Sequence, residues 1–352
     1  MLSRTLWVPS VAAMVVFGFA TQVLAANAAP AAAAVQKHSA EVSIPNSQRI
    51  DFVSKVNGHR YSLTVAFPYE KAPAQGYGVL YVIDGNWYFG SATEAVRNWN
   101  APDVVVVAIG YPDDPAFTQE VLRQRGPVPP SLKYLPPQRQ APFMERSYDL
   151  TLPATDQELA AQTPAGTPPE KSQNVGGMDA YLKMIETDVK PRIAALVSVD
   201  PKNQALFGDS LGGLTTLHAL FTEPNAFRTF IIGSPSIWWN NRSVLADREK
   251  FAAAVSSGQA SPRVIVTMGS EESTPPKVVP ARWGTDAASL AELLRKDRMV
   301  ENGNELVTWL KTIHGGPGYV VDDYAVFDKL DHGAASWAAL ARGVRFAFST
   351  TP

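Results

Sequence analysis

Gly78–Ile83 (GVLYVI), Val104–Ile109 (VVVVAI), Gln204–Phe207 (QALF), Thr229–Ile232 (TFII), Val264–Met268 (VIVTM) and Tyr324–Phe327 (YAVF) are near-continuous apolar runs bounded by turn-forming residues. Strands buried on both faces read this way, because neither face can present polar side chains to water. Between them lie stretches with apolar residues at helical spacing: Ser91–Trp99, Gly177–Val189, Leu211–Phe221, Ser243–Val255, Asp286–Arg298 and Ala334–Phe348. Ahead of them Tyr61–Phe67 alternates and follows Asn57-Gly58, the signature of a hairpin with Ile50–Val56 as partner. Strands alternating with helices after such a hairpin predict an α/β fold: a mostly parallel sheet, helices on both faces, and an N-terminal antiparallel hairpin. With 352 residues, 45% of them hydrophobic, one large domain is enough to hold this pattern.

From Tyr111 to Val175 the alternation stops. Prolines are dense (PVPP at 127–130, LPP at 135–137, TPP at 167–169) and few helical periods can be found. A loop this long inside a domain is usually functional or disordered, so the segment reads as an excursion that walls or covers a site.

The first residues form a separate unit. Arg4 precedes an apolar run, Val11 to Ala20, and Val23-Leu24-Ala25 has the form of a signal-peptidase site, so 1–25 reads as a secretory signal. The alternative is an uncleaved anchor over Leu6–Leu24, interrupted by Pro9, Ser10 and Gln22. The Ala-rich stretch after it, within 26–41, has little to pack and is expected to be a flexible tail, with the folded domain starting near Val42. The chain has no cysteine, which removes disulfides and thiolate catalysis. Export without disulfides fits a bacterial periplasm or secretion. Removing Arg4 with the signal leaves 30 basic against 33 acidic residues, a net charge of −3, and no large basic run points to nucleic acid.

The segment Phe207–Gly213, FGDSLGG, holds Gly208, Asp209, Ser210, Leu211 and Gly212 in the pattern G-x-S-x-G. Alone the pattern is weak. Here it follows the strand candidate QALF and opens the helix candidate LGGLTTLHALF, the setting in which a serine is presented in a tight turn with helix N–H groups beside it. Glycine on both sides removes a clash with that turn. Ser210 is therefore the candidate nucleophile, and it needs a base.

Five histidines are available. His38 lies in the tail, His59 in the hairpin turn, far from the expected end of the sheet, and His218 about 12 Å along the elbow helix. His314 precedes GGPG without a strand before it. His332 follows a strand and a short polar loop and opens the last helix, which places it at the carboxyl edge of the sheet, where open α/β sheets bind ligands. The carboxylate should fall between serine and histidine in sequence. RVIVTMGSEES offers Glu271 and Glu272, with Asp286 as a fallback, and spacing does not choose between the two glutamates.

Taken together, VLYVIDGNWYF (79–89), RSYDLT (146–151), GGMDAYLKMIETDVKPRI (176–193), FGDSLGG, GSPSIWWN (233–240), VTMGSEE (266–272) and LDHGAASWAALARGVRFAF (330–348) resemble the putative-esterase family of α/β-hydrolases, from about Val42 to Phe348. The likeness is strongest to its siderophore-esterase-like branch. It implies an α/β-hydrolase fold and a serine esterase without metal or cofactor, acting on a small-molecule ester. It favours Glu272 as the acid. It implies an oxyanion hole from the backbone N–H groups of Leu211 and of Asn86, beside Gly85. Arg146, Tyr148, Trp238 and Trp239 would then line the substrate pocket with Gly85. Arg146 could bind a substrate carboxylate or pair with Asp149, and the two tryptophans, being adjacent, cannot both point the same way. Asp209 departs from the family, where the position is usually His, Tyr or neutral, and a Ser-His dyad stays open. Two other functions use the same features: acyl transfer to an alcohol, and non-catalytic capture of a ligand by an exported protein.

Overall fold

Asn57-Gly58 turns the chain as its sequence predicts. Gly58 adopts φ +76°, a conformation that costs little without a Cβ, and Ser54 N–H donates to His59 O at 2.8 Å across the turn. The computed structural model describes residues 43–98, 101, 103–163, 169–275, 278–279 and 286–349. The expected signal, 1–25, the tail, 26–41, and His38 within it lie outside the described residues.

Strand β1 (Ser47–Val53) pairs antiparallel with β2 (Arg60–Ala66). The others are β3 (Tyr77–Ile83), β4 (Val104–Gly110), β5 (Val199–Asp209), β6 (Thr229–Gly233), β7 (Arg263–Gly269), β8 (Val320–Val321) and β9 (Ala325–Phe327). Their order is β1-β2-β4-β3-β5-β6-β7-β8, with β9 also on β7. Beyond the antiparallel β2–β4 pair every neighbour is parallel. The fold is therefore the expected α/β one, a mixed, mostly parallel sheet.

The reason for the apolar runs is visible in β3. Val79, Tyr81 and Ile83 enter the core on one face, and Leu80 and Val82 enter the core on the other. The first face is covered by the elbow helix, Leu211–Thr222, and by helices Arg248–Ser256 and Met299–Thr312. It is also covered by Met178–Met184, which runs through a π turn (Ile185–Val189) into Lys190–Leu196. Gly85–Asn98 and His332–Phe348 cover the second. Among the described residues no helix is long and apolar enough to cross a membrane.

Two expectations are corrected. The proline-dense excursion is largely helical, with helices Pro115–Arg125, Pro137–Asp149 and Asp156–Gln162. Pro115 and Pro137 stand at the first helical position, where a missing N–H costs nothing, so they start helices instead of breaking them. Asp114 accepts from Phe117 N at 2.8 Å, and Thr155 with Glu158 forms a capping box. The second correction concerns His59. Because β2 runs antiparallel to β4, with Ser62 opposite Gly110, the hairpin turn lies at the same end of the sheet as the elbow, with β4 and β3 between them.

Phe230 on β6 is fully buried and meets Phe227 edge-on at 5.8 Å. Phe230→Ala is expected to lower the unfolding free energy by about 3–5 kcal/mol, read from urea melts at constant m-value.

Candidate active site

The serine is held in a conformation few serines adopt. Ser210 has φ +61° and ψ −119°, between the end of β5 and the first residue of the elbow helix. Neighbouring backbone fixes it: Ser210 N donates to Gly233 O at 3.1 Å, and Ser236 N donates to Ser210 O at 3.2 Å. A Cβ on Gly208 would overlap the Gly212 carbonyl, and one on Gly213 the Gly233 carbonyl oxygen. Gly212 has a different task from the expected one. It faces β3, where a Cβ would lie 3.3 Å from Asp84 Oδ2 and from Ile83 Cγ2. Leu211 opens the elbow helix, so its N–H has no acceptor within that helix.

Two loops are stitched together to place the histidine. Ser270 N donates to Phe327 O at 2.9 Å, Glu271 N to Leu330 O at 3.1 Å, and Lys329 N to Ser270 Oγ at 2.8 Å. Asp331 is taken up as a cap, accepting from Ala334 N at 2.8 Å, which makes His332 the first residue of its helix. Glu272 then meets the imidazole, Nδ1 to Oε2 at 2.7 Å. Its other oxygen accepts from Gly269 N at 2.6 Å and from Ser234 Oγ at 2.5 Å. Glu272 is buried and Glu271 exposed, and Asp286 caps helix Ala287–Asp297 by accepting from Ser289 N. Of the other described histidines, His218 is bonded to Asp179 at 2.8 Å, His314 is exposed, and His59 contacts Glu145.

Charge around His332 is strongly one-sided. Crowding by protein atoms disfavours the imidazolium, but the Glu272 hydrogen bond and the charges of Asp209 and Glu272 outweigh it, while Arg146 opposes them. The pKa ends above its ordinary 6.5. Asp209 is buried and its carboxyl is pushed up to about 6, chiefly by that burial; Tyr88 donates to its Oδ2 at 3.2 Å. Burial also raises Asp297 to about 6, and its carboxyl feels His332 in turn. Among the described residues Glu272 is the imidazole's hydrogen-bond partner and Ser210 Oγ is not. With Nδ1–H directed at Glu272, Nε2 is the nitrogen left to accept a proton.

The turn after β3 comes next to the elbow because β3 pairs with β5. Asp84 has φ +62°, and Gly85 packs so closely on β4 that a Cβ would lie 2.7 Å from the Ala108 carbonyl carbon, so Gly85 serves backbone approach. Asn86 clamps the end of β4: its Nδ2 donates to Tyr111 O at 2.8 Å and its Oδ1 accepts from Tyr111 N at 2.7 Å. That occupies the side chain and leaves the N–H of the helix's first turn.

The excursion helix Pro137–Asp149 delivers side chains in two directions. Arg146 is buried and its Nε donates to Asp84 Oδ1 at 2.7 Å, so its partner is Asp84 and not Asp149. Tyr148 lies under the Arg125 guanidinium, whose carbon is 3.5 Å from the Tyr148 ring centroid, and beside the His59 ring. His59, Glu145 and Asp149 offer three ligand atoms within 4.8 Å of one another. Arg125 donates to both Glu145 oxygens at 3.0 Å, so a cation already neutralises that carboxylate. Trp238 and Trp239 follow the loop bonded to Ser210 and point differently. Trp239 is buried in the core, 8% exposed, and Trp238 is half-buried, so Trp238 is the more accessible of the two rings. A cavity of about 200 Å³ lined by Ala66, Phe67, Val96, Arg97 and Val104 lies at the opposite, amino end of the strands.

Residues 147–315 match the family model described as "Putative esterase". A siderophore enterobactin esterase of Emericella nidulans is 33% identical over 301 residues, covering 81% of this chain and 88% of the relative. The chain belongs to the putative-esterase family. A ferri-bacillibactin esterase of Bacillus subtilis, BesA, is 30% identical over 237 residues, 65% of this chain and 72% of its own. The solved siderophore hydrolase EstA of Aspergillus nidulans has the same fold, with a TM-score of 0.68 at 28% identity over 90% of this chain and 100% of that one. The esterase is thus an α/β-hydrolase-fold carboxylic-ester hydrolase. Sequence reasoning did not find Ser234 or Asp84 as partners in this site; both pairings cross between distant segments and leave no spacing signal.

A base must be neutral to accept a proton, and the His332 pKa is raised. The acidic limb of kcat/KM is therefore expected above pH 6.5. Asp209→Asn removes one of the charges that raise it, so the limb should move to lower pH. Profiles of both proteins on one nitrophenyl ester check this, and an unmoved limb would show that Asp209 does not act on the imidazole.

Proposed function

We propose that the esterase hydrolyses siderophore esters through an acyl-enzyme on Ser210, with His332 as general base and Glu272 as the carboxylate that orients it. The observation that carries this reading is the 2.7 Å Glu272–His332 hydrogen bond at the carboxyl ends of the strands, the end at which Ser210 is presented. The fungal and Bacillus relatives, which are siderophore esterases, supply the substrate class.

His332 Nε2 takes the hydroxyl proton as Ser210 Oγ attacks the ester carbonyl. The carbonyl oxygen becomes an oxyanion within reach of first-turn N–H groups, those of Leu211 and Asn86, which face no internal acceptor. The imidazolium, stabilised by Glu272, returns the proton to the departing alcohol. Water then attacks the acyl-serine with His332 again as base, releasing the acid. Trp238 and the excursion supply an aromatic and polar wall for a bulky ligand. We also infer export to a bacterial periplasm or medium, supported by the reading of 1–25 and the lack of cysteine. Fractionation of expressing cells checks this, and full-length protein retained in the cytosol would count against it.

Ser210→Ala is expected to lose on the order of 10⁶ in turnover and Glu272→Gln on the order of 10³–10⁴, while exposed Glu271→Gln stays near wild type. Assays on a catecholate trilactone, a hydroxamate ester, a feruloyl ester and a short nitrophenyl ester should rank a siderophore first by kcat/KM. Wild-type turnover in Ser210→Ala would overturn the mechanism, and preference for the simple ester would overturn the substrate.

A further inference from the structure

The sheet order puts an aromatic residue on each side of Ser210. The strands run β3-β5-β6-β7, so the elbow at the end of β5 has the turn after β3 on one side and the loop after β6, with Trp238, on the other. On the β3 side the residue is Trp87, next in sequence to Asn86 and in the first turn of helix Gly85–Asn98. Its N–H donates to Asp84 O at 2.9 Å, which ties the start of its side chain to the turn.

Trp87 is half-buried and joins neither hydrophobic core. That is a costly place for so large an apolar side chain, whose worth to a fold lies mainly in the area it removes from water. The ring it does meet is Phe143, half-buried on the excursion helix Pro137–Asp149, with centroids 6.1 Å apart and planes at 81°. Two rings at right angles form a corner. A flat ligand can lie along one face and turn its edge to the other, and both contacts are favoured between aromatic rings.

The reaction decides which part of an ester meets that corner. The tetrahedral carbon formed on Ser210 Oγ carries an oxyanion, a leaving oxygen and the acyl chain. The oxyanion faces the N–H groups of Leu211 and Asn86. The leaving oxygen must lie near His332 to receive its proton, and His332 follows the loop stitched to the end of β7, on the β6 side of the serine. The acyl chain is left with the β3 side, where Trp87 and Phe143 stand.

We propose that Trp87 and Phe143 form the acyl-group subsite of the esterase and select planar, conjugated acyl groups, aromatic or α,β-unsaturated. This rests on the Ser210 mechanism above and deepens it by dividing the substrate into an acyl half on the β3 side and an alcohol half on the Trp238 side.

The test keeps one leaving group and varies the acyl group, with nitrophenyl benzoate against nitrophenyl cyclohexanecarboxylate, which has similar bulk but no flat π face. Comparing variant with wild type cancels the esters' own reactivity. Trp87→Ala is expected to lower the benzoate-to-cyclohexanecarboxylate ratio of kcat/KM about tenfold, and Phe143→Leu to lower it in the same direction. Trp87→Phe, which keeps a flat ring and covers the case in which Trp87→Ala melts early, should retain most of the ratio. Phenyl benzoate should show the same fall as nitrophenyl benzoate, because the two share the acyl half. A ratio that stays at the wild-type value, whether or not the urea midpoint drops, would show that the two rings only fasten the excursion and would overturn the proposal. A loss that follows the leaving group instead of the acyl group would overturn it too. Ser210→Ala run in parallel separates the two ideas: if it hydrolyses at the wild-type rate, the mechanism itself has failed, whatever Trp87 does.

Discussion

The Glu272 carboxylate takes hydrogen bonds from Gly269 N, Ser234 Oγ and His332 Nδ1, and these donors come from the end of β7, the end of β6 and the start of the last described helix. Hydrogen bonds to a charged group contribute about 1.5–3 kcal/mol each, and a buried carboxylate missing one carries a comparable penalty. The arrangement therefore supports itself. The strand ends cannot drift apart without stranding an anion, and the imidazole cannot rotate without losing its tautomer-setting contact. Geometry at the serine follows from the same frame, since Ser210 N is bonded to Gly233, one residue before Ser234.

A second layer of order comes from charge burial in the excursion. Buried ion pairs are expensive to assemble, because desolvation offsets most of their attraction, and they persist where each member is satisfied. Arg125 meets Glu145 with two hydrogen bonds and Arg146 meets Asp84, while Asp149, whose carboxyl is pushed up to about 8 chiefly by burial, is largely neutral and accepts from Tyr111 with one oxygen. These contacts tie the excursion to the end of β4 and to the turn after β3. Apolar residues such as Phe117, Val121 and Met144 bury the remaining faces in the main core.

The strands were legible because burial on both faces removes polar residues from a run such as VVVVAI, and the elbow was legible because glycine is required where Gly212 O presses on Gly208. The excursion helices were not, since dense proline obscures helical periods, although Pro115 and Pro137 occupy the first helical position, which suits them. The capping pattern Thr155-x-x-Glu158 was there to be read. Helix Met299–Thr312 escaped because Asn302, Gly303 and Asn304 interrupt its apolar stripe. Choosing Glu272 over Glu271 needed more than spacing, because a loop after a strand can present either residue. Side-chain pairs such as Arg146–Asp84 lie beyond any local pattern: only the sheet order brings their elements together.

The stitch between residues 269–272 and 327–330 has a consequence for how the molecule comes into being. Ser210 and its turn belong to a part of the chain made roughly 120 residues before His332. At ordinary elongation rates that interval is on the order of ten seconds. A nascent polypeptide thus carries an alcohol with no imidazole to activate it, and whatever esters surround it during synthesis meet an inert surface. Reactivity arrives only when the late segment docks, which makes completion of the sheet edge the switch from bystander to enzyme.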